Sequence, residues 1–300
     1  MKKFLSFCAI VCVAFIASCS QNGGEEPTPQ PNPEKLPIAI STQLSATRAT
    51  DAAFESGDEV GIYVVNQTNG VSGTLATSGN YVDNMRFTYT SDKWTSDAEI
   101  YWMDKNTTAD FYCYYPYANP TSITSHTFAT KTDQSTPNNY KASELIWGKA
   151  TAVAASENTV SITMNHSLSN AIVVIAPGKG FTAETLAAAN IEVKIANVKP
   201  NASINLANGV VTASGTTSAI TMYKDSDLNY RALIVPQTVA ESSLVVLTID
   251  GITYALTKGF TFKANTRHTF TVTVNKINNG INIGIGDWVI DETDNGGSAE

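Results

Sequence analysis

The chain has 300 residues, a formal net charge of −8 and only 15% charged residues. An acidic balance of this size excludes nucleic acid and anionic lipid surfaces as natural partners, and leaves a surface built from Thr, Ser and Asn. Of the four cysteines, Cys8, Cys12 and Cys19 fall in the first 19 residues, so an internal disulfide framework is excluded as well.

The first element is a secretion signal over 1–18. Lys2 and Lys3 supply its positive start, and the apolar stretch Phe4 to Ala17 follows. That stretch is shorter than the roughly 20 apolar residues a spanning helix needs. Ile16-Ala17-Ser18-Cys19 has the form of a bacterial lipobox, so Cys19 is expected to become the acylated first residue. Losing Lys2 and Lys3 takes the net charge from −8 to −10. Each buried methylene of the lipid contributes about 0.8 kcal/mol, so several acyl chains anchor the precursor firmly. Residues 19–37 follow as a lipidated, Pro-rich tether, an extended and semi-rigid spacer.

The folded part begins with Ile38 to Thr47. Ile38, Ile40, Leu44 and Ala46 share one parity, which a half-buried strand requires. Arg48 comes next and is the only arginine among the first 85 residues. The small and polar run Ala49-Thr50-Asp51-Ala52-Ala53 suits an exposed linker that a trypsin-like protease can cut between Arg48 and Ala49. Removing 38–48 would leave an apolar groove, which a strand from another chain could refill.

From there the chain reads as nearly all β. Strands are expected at Val60–Val65, Met85–Tyr89, Glu99–Trp102, Asp110–Tyr115 and Thr159–Met164. The second half adds Ala171–Ile175, Ile191–Ile195, Ala202–Leu206, Arg231–Val235, Ser243–Ile249, Ile252–Leu256 and His268–Val274, with one short helix at Thr182–Ala189. Two β-sandwich domains fit this count: an N-terminal one over 38–160 and a C-terminal one over 161–290, with an acidic tail at 291–300. Polar loops at Gln67–Asn80 and Tyr117–Asn139 are long enough to carry binding. In the last strand, Ile281, Ile283 and Ile285 alternate with small or polar residues. The register then slips at Asp287, and Trp288 and Ile290 take over. This segment, 281–290, shares the branching and parity of the first strand. It is a candidate donor for a groove like the one above, or simply the last strand of its own domain.

Catalytic constellations are absent. His126, His166 and His268 stand far apart, and there is no H-E-x-x-H, C-x-x-C, G-x-S-x-G or phosphate-binding glycine loop. His166 reads as a structural, hydrogen-bonded residue, and Asp58 and Asp104 as turn residues. Cys113 lies in the apolar run Phe111–Tyr115, which points to a buried, inert thiol. The acidic tail lacks the spacing of a Ca²⁺ loop. No enzyme activity, metal or cofactor is expected.

These residues resemble the Bacteroidetes fimbrillin superfamily, in particular its fimbrillin-like surface lipoproteins. The likeness runs through Phe54-Glu-Ser-Gly57-Asp58-Glu-Val-Gly61-Ile-Tyr63-Val, then Ile100-Tyr101-Trp102-Met-Asp104 with Asp110-Phe111-Tyr-Cys-Tyr114-Tyr-Pro116-Tyr117. Asp133-Gln134-Ser135, Ser143-Glu144-Leu145, Asn165-His166-Ser-Leu168-Ser-Asn-Ala-Ile172, Ile234-Val235-Pro236-Gln237 and Asp287-Trp288 continue it. Cys113 departs from the pattern, where a small residue is expected. The resemblance implies two transthyretin-like β-sandwich domains in tandem. It also implies a structural or adhesive fimbrial subunit, shaft or tip, acting in cell adhesion and biofilm formation. The precursor would travel as an outer-membrane lipoprotein. An arginine-specific protease would cut after Arg48, and donor-strand exchange would join the chain to other fimbrial subunits. The alternative is a static lipid-anchored binding module, such as a glycan-binding lipoprotein or the anchor of a fimbria. Neither reading names a surface ligand.

Overall fold

Runs of Val, Ile, Thr and aromatic residues become strands because these side chains fit a pleated, half-buried surface. The computed structural model describes residues 35–45, 53–277 and 280–285, with side chains described as far as residue 275. In chain order the elements are β1 (Ile40–Leu44), β2 (Glu59–Asn66), β3 (Val82–Thr90), β4 (Lys93–Ser96), β5 (Ala109–Tyr115), β6 (His126–Ala129), α1 (Pro137–Lys141), β7 (Ile146–Val153) and β8 (Val160–His166). The second half holds β9 (Ser169–Pro177), α2 (Ala183–Ala187), β10 (Ile191–Val198), β11 (Asn201–Ile204), β12 (Val211–Ser214), β13 (Ser218–Thr221), β14 (Tyr223–Ser226) and β15 (Asn229–Ile234). It closes with the long strands β16 (Gln237–Ile249), β17 (Ile252–Phe262) and β18 (Thr266–Ile277), then β19 (Gly280–Ile285).

The architecture is all-β, with four sheets among the described residues. Seven strands of the first half form one sheet in the order β1-β8-β7-β5-β2-β3-β4. The second half folds into a four-stranded sheet, β13-β10-β16-β17, and a five-stranded sheet, β14-β15-β9-β18-β19. The chain crosses from the first half to the second at Ser167–Leu168, between β8 and β9. A three-stranded sheet, β12-β11-β6, ties the halves together: β6 comes from the first and β11 from the second.

Alternation within strands distributes the side chains into three cores. Val60, Ile62, Val64, Phe111, Cys113, Val160, Ile162 and Met164 point to one face of the seven-stranded sheet. Their neighbours Tyr63, Val65, Tyr112 and Tyr114 point to the other, where they meet Leu168, Ala202, Ile204, Leu206 and Leu233 from the second half. A separate core lies between the two large sheets of the second half.

Several boundaries differ from the sequence reading. Glu99–Trp102 is not a strand; only a bridge from Tyr101 to Pro37 forms there, because its backbone meets a short stretch of chain rather than a full partner. The expected helix at Thr182–Ala189 is shorter, α2, opened by a capping box between Thr182 and Thr185. The region read as a loop at Tyr117–Asn139 contains β6 and most of α1. The tether drawn over 19–37 overlaps the fold, since Leu36 packs on the first core.

Candidate functional site

The first described strand is seated as an edge, and its groove is the feature to which the fold gives the most specific chemistry. β1 runs parallel to β8 in the register Ile40↔Val160 through Leu44↔Met164. Val160 N donates to Ala39 O and Ser45 N to Met164 O, both at 2.8 Å. Just upstream the chain is held from its other side: Ile38 N donates to Ile100 O and Trp102 N to Leu36 O, both at 2.9 Å. Lys35 lies over the Tyr101 ring, 5.5 Å from its centroid.

Even-numbered residues of this strand face inward. Ile38 is 7% exposed and Ile40 6%, while Leu36 and Leu44 are half-buried against the same core. The walls are Val160, Ile162 and Met164 from β8, with Ile100, Trp102 and Phe111 beyond them. Trp102 stacks edge-on against Phe111 at 5.6 Å, and its Nε1 is buried without an acceptor among the described residues. At the opposite edge, Trp94 reaches across to Thr42. Fully burying one Ile contributes about 1.5–3 kcal/mol. Ile38 and Ile40 together with the two half-buried leucines therefore contribute on the order of 5 kcal/mol or more. A whole domain is stable by only about 5–15 kcal/mol, so an empty groove would be a poor resting state.

The chemistry of the groove is that of strand recognition: a free backbone edge on β8 and alternating apolar sockets. Cys113 Sγ lies 3.5 Å from Met164 Sδ on the groove floor, and burial pushes its thiol pKa well above the ordinary value. Burial, reinforced by the neighbouring Asp58 carboxylate, also raises the Tyr115 phenol. Among the described residues no group of His, Cys, Asp and Glu could hold a metal ion. Asp58 accepts from Glu55 N at 2.7 Å, and Asp104 accepts from Asn106 N and Thr107 N. His166 pairs with Glu144 at 3.1 Å. The aromatic run is interior: Tyr114 and Tyr115 are both buried.

The structure thus brings Ile38, Ile40 and Leu44 into one groove, and adds Leu36 and Thr42. Their shared parity was the signal; the tether boundary hid Leu36 and the hydroxyl hid Thr42. The backbone of the candidate donor strand lies beside β18, pairing Ile281 with Lys276, Ile283 with Val274 and Ile285 with Val272. Cys19, Ala46, Arg48, Ala49, Trp288, Ile290 and the acidic tail lie outside the described residues.

Two motif residues gain a physical role. Gln134 is wholly buried; its Oε1 accepts from Leu233 N at 2.8 Å and its Nε2 donates to Leu233 O at 2.9 Å. Gln237 does the same to Lys199, accepting from its N at 2.8 Å and donating to its O at 3.0 Å. Each side-chain amide stands in for a missing strand rung.

Residues 47–288 match the model of a family described as fimbrillin-like. This chain belongs to the fimbrillin-like family. The match begins at residue 47, past β1, and so leaves all but the last two residues of the 38–48 leader outside it. A relative in Bacteroides uniformis named "Putative fimbrium subunit Fim1C" is 25% identical over 303 residues, covering 96% of each chain. Among solved structures, a Bacteroides ovatus protein described as a "putative cell adhesion protein" superposes with a TM-score of 0.66 at 18% identity, covering 86% of this chain and 99% of its own. One from Bacteroides uniformis gives 0.62 at 23% identity, covering 84% and 99%. At these identities the structural likeness establishes a shared fold.

Proposed function

We propose that this fimbrillin-like chain is a structural or adhesive subunit, shaft or tip, of a fimbria on the bacterial surface. It is exported as an outer-membrane lipoprotein acylated at Cys19. An arginine-specific protease cuts between Arg48 and Ala49, and the leader leaves its groove. The segment 281–290 of another subunit, carrying Ile281, Ile283, Ile285, Trp288 and Ile290, then takes its place. The polymer serves cell adhesion and biofilm formation. The reading of the two halves as tandem transthyretin-like sandwiches belongs to the same proposal; the separate first and last cores support it.

The observation that carries this reading is the seating of β1: an edge strand buried through Ile38 and Ile40, directly ahead of a small, polar run with one arginine. Such a strand can be removed without cutting through any other element. The relative named as a fimbrium subunit supports the same class. The alternative, a static lipid-anchored module, is favoured by the leader's hydrogen bonds on both sides, which hold it in place.

N-terminal sequencing of the surface form separates the two. A start at Ala49, lost in Arg48→Ala together with mature-size polymer, supports assembly. An acylated Cys19 on all surface material, with polymer unchanged in the variant, overturns it in favour of the anchor.

A further inference from the structure

The chain changes sheet at Met222. β13 ends at Thr221 in the four-stranded sheet, and β14 begins at Tyr223 in the five-stranded one. β13 pairs with β10 only from Lys194 onward, so no strand among those described covers the outer edge of Ile191–Val193. Along this side the two sheets part, and a cleft of about 330 Å3 opens there. Asp133 and Ser135, from the first half, complete its wall.

The floor is apolar. Val193, Met222 and Tyr230 are all buried, and Ile191 packs on the same core. Around it stand the polar groups of Asp133, Ser135, Glu192, Thr221 and Lys224. Glu192 and Lys224 are about half exposed, held by Lys194 at 2.7 Å and Asp227 at 3.0 Å.

The walls are tied together. Thr221 N donates to Thr132 O at 2.8 Å, Gln134 N to Thr221 O at 2.9 Å and Met222 N to Val193 O at 2.9 Å. The buried Gln134 side chain turns inward to Leu233, while its neighbours Asp133 and Ser135 line the cleft. Ser135 N donates to Asp133 Oδ1 at 3.0 Å. A preformed site lowers the ordering cost of binding.

The lining selects the ligand. The bonds from Ser135 hold the Asp133 carboxyl below its ordinary pKa, so it is charged at neutral pH. Two carboxylates, Asp133 and Glu192, stand against the one ammonium of Lys224, a balance that repels an anion. Among the described residues no group of His, Cys, Asp and Glu could hold a metal ion here. A wholly apolar ligand would strip water from these charges and return no hydrogen bond. A neutral polyol with one apolar face meets every part of the site. Its hydroxyls donate to the carboxylates and accept from Lys224, Ser135 and Thr221, while its C–H face covers Met222 and Val193. The volume lies at the low end of the roughly 300–1,000 Å3 of small-molecule sites, which suits a sugar ring.

We propose that this cleft binds one neutral pyranose ring of a surface glycan. It shares no residue with the β1 groove, so the proposal goes beyond the fimbrial reading and stands without it.

The test is saturation-transfer NMR on the full chain. The probes are the methyl glycosides of glucose, galactose, mannose and N-acetylglucosamine, with glucuronic acid and lysine methyl ester as charged comparisons. At least one neutral glycoside should receive saturation, and glucuronic acid should not. Glu192→Gln and Thr221→Val should each weaken that binding by ~10-fold, the loss expected for one hydrogen bond to a charged or polar group. Lys93→Met, on β4 in the other half, should leave it unchanged. Thermal melts check the fold; Glu192 is on the surface, so its variant decides the matter if Thr221→Val unfolds. Should no neutral glycoside bind, or should folded variants bind as wild type does, the cleft is not a sugar site. Stronger binding of glucuronic acid or of lysine methyl ester overturns the proposal too, the second in favour of a basic peptide.

Discussion

Trp94 Nε1 donates to Thr42 Oγ1 at 2.9 Å, and this bond joins the two edge strands of the seven-stranded sheet. The sheet curls until its edges meet, and the leader strand is one side of the seam. Replacing Thr42 by Val keeps the shape and removes the acceptor. A half-buried indole left without a partner costs about 1 kcal/mol. Thr42→Val should lower the unfolding free energy by that amount in urea titrations and speed release of the leader after cleavage. An unchanged release rate would place the seam's strength elsewhere.

Cys113 reports on the same groove. Its sulfur is covered by Met164, whose own backbone partner across the parallel pair is Leu44. In the uncut precursor a maleimide should leave Cys113 unmodified for hours. After the leader is cut and removed, mass spectrometry should find it labelled, and adding a synthetic peptide of residues 280–300 should protect it again. Labelling that is equally slow with and without the leader would mean that the groove closes over when vacated.

Gln134 makes a different prediction, about the junction of the halves. Gln134→Ala leaves Leu233 N–H and C=O buried without partners, at a cost of about 1–3 kcal/mol for each unsatisfied group. Gln134→Glu is worse near neutral pH, because a carboxylate then faces the Leu233 carbonyl. Part of that loss should return on acidification, as the protonated carboxyl again donates. A glutamate variant as stable as wild type at pH 7 would show that the site admits water.

Stability should fall on both sides of neutrality. Burial pushes the Cys113 thiol and the phenols of Tyr63 (to about 12), Tyr114 and Tyr115 up. Groups with raised values stay protonated in the fold while the unfolded chain releases its protons. Their contribution is therefore lost as pH climbs past the unfolded values of 9.0 and 10.0. Asp110 works in the opposite direction. Burial would raise its pKa, but bonds from Ala152 N, Ser72 and Gln67, with the charge of Lys149, together hold it below the usual 3.8. Its contribution is full above that value and disappears as pH falls through the lowered one. Asp110→Asn should flatten the acid limb of a thermal-melt profile and leave the alkaline limb unchanged.

How much of this was legible in the chain depends on the range of the contact. The parity of Ile38, Ile40 and Leu44 is local and exposed the leader directly. Its parallel direction and its register with Val160–Met164 are set by residues 120 positions away, so nothing local encodes them. Thr42 shares that parity, but its hydroxyl shows no partner until Trp94, 52 positions along, is placed beside it. The strand β6 spans only four residues, and its partner β11 lies in the other half of the chain. For the same reason Gln134 looked like part of a loop: its backbone partner, Leu233, is 99 positions along.

The pairing of β6 with β11, four rungs from Ala129↔Asn201 to His126↔Ile204, has a mechanical consequence. Tension applied between the two ends of the molecule is not borne by the short crossing at Ser167–Leu168 alone. It also loads these rungs and the Gln134–Leu233 clasp, side by side with the crossing. Stretching the halves apart therefore requires several bonds to yield together, and the subunit should respond to hydrodynamic drag as one stiff link.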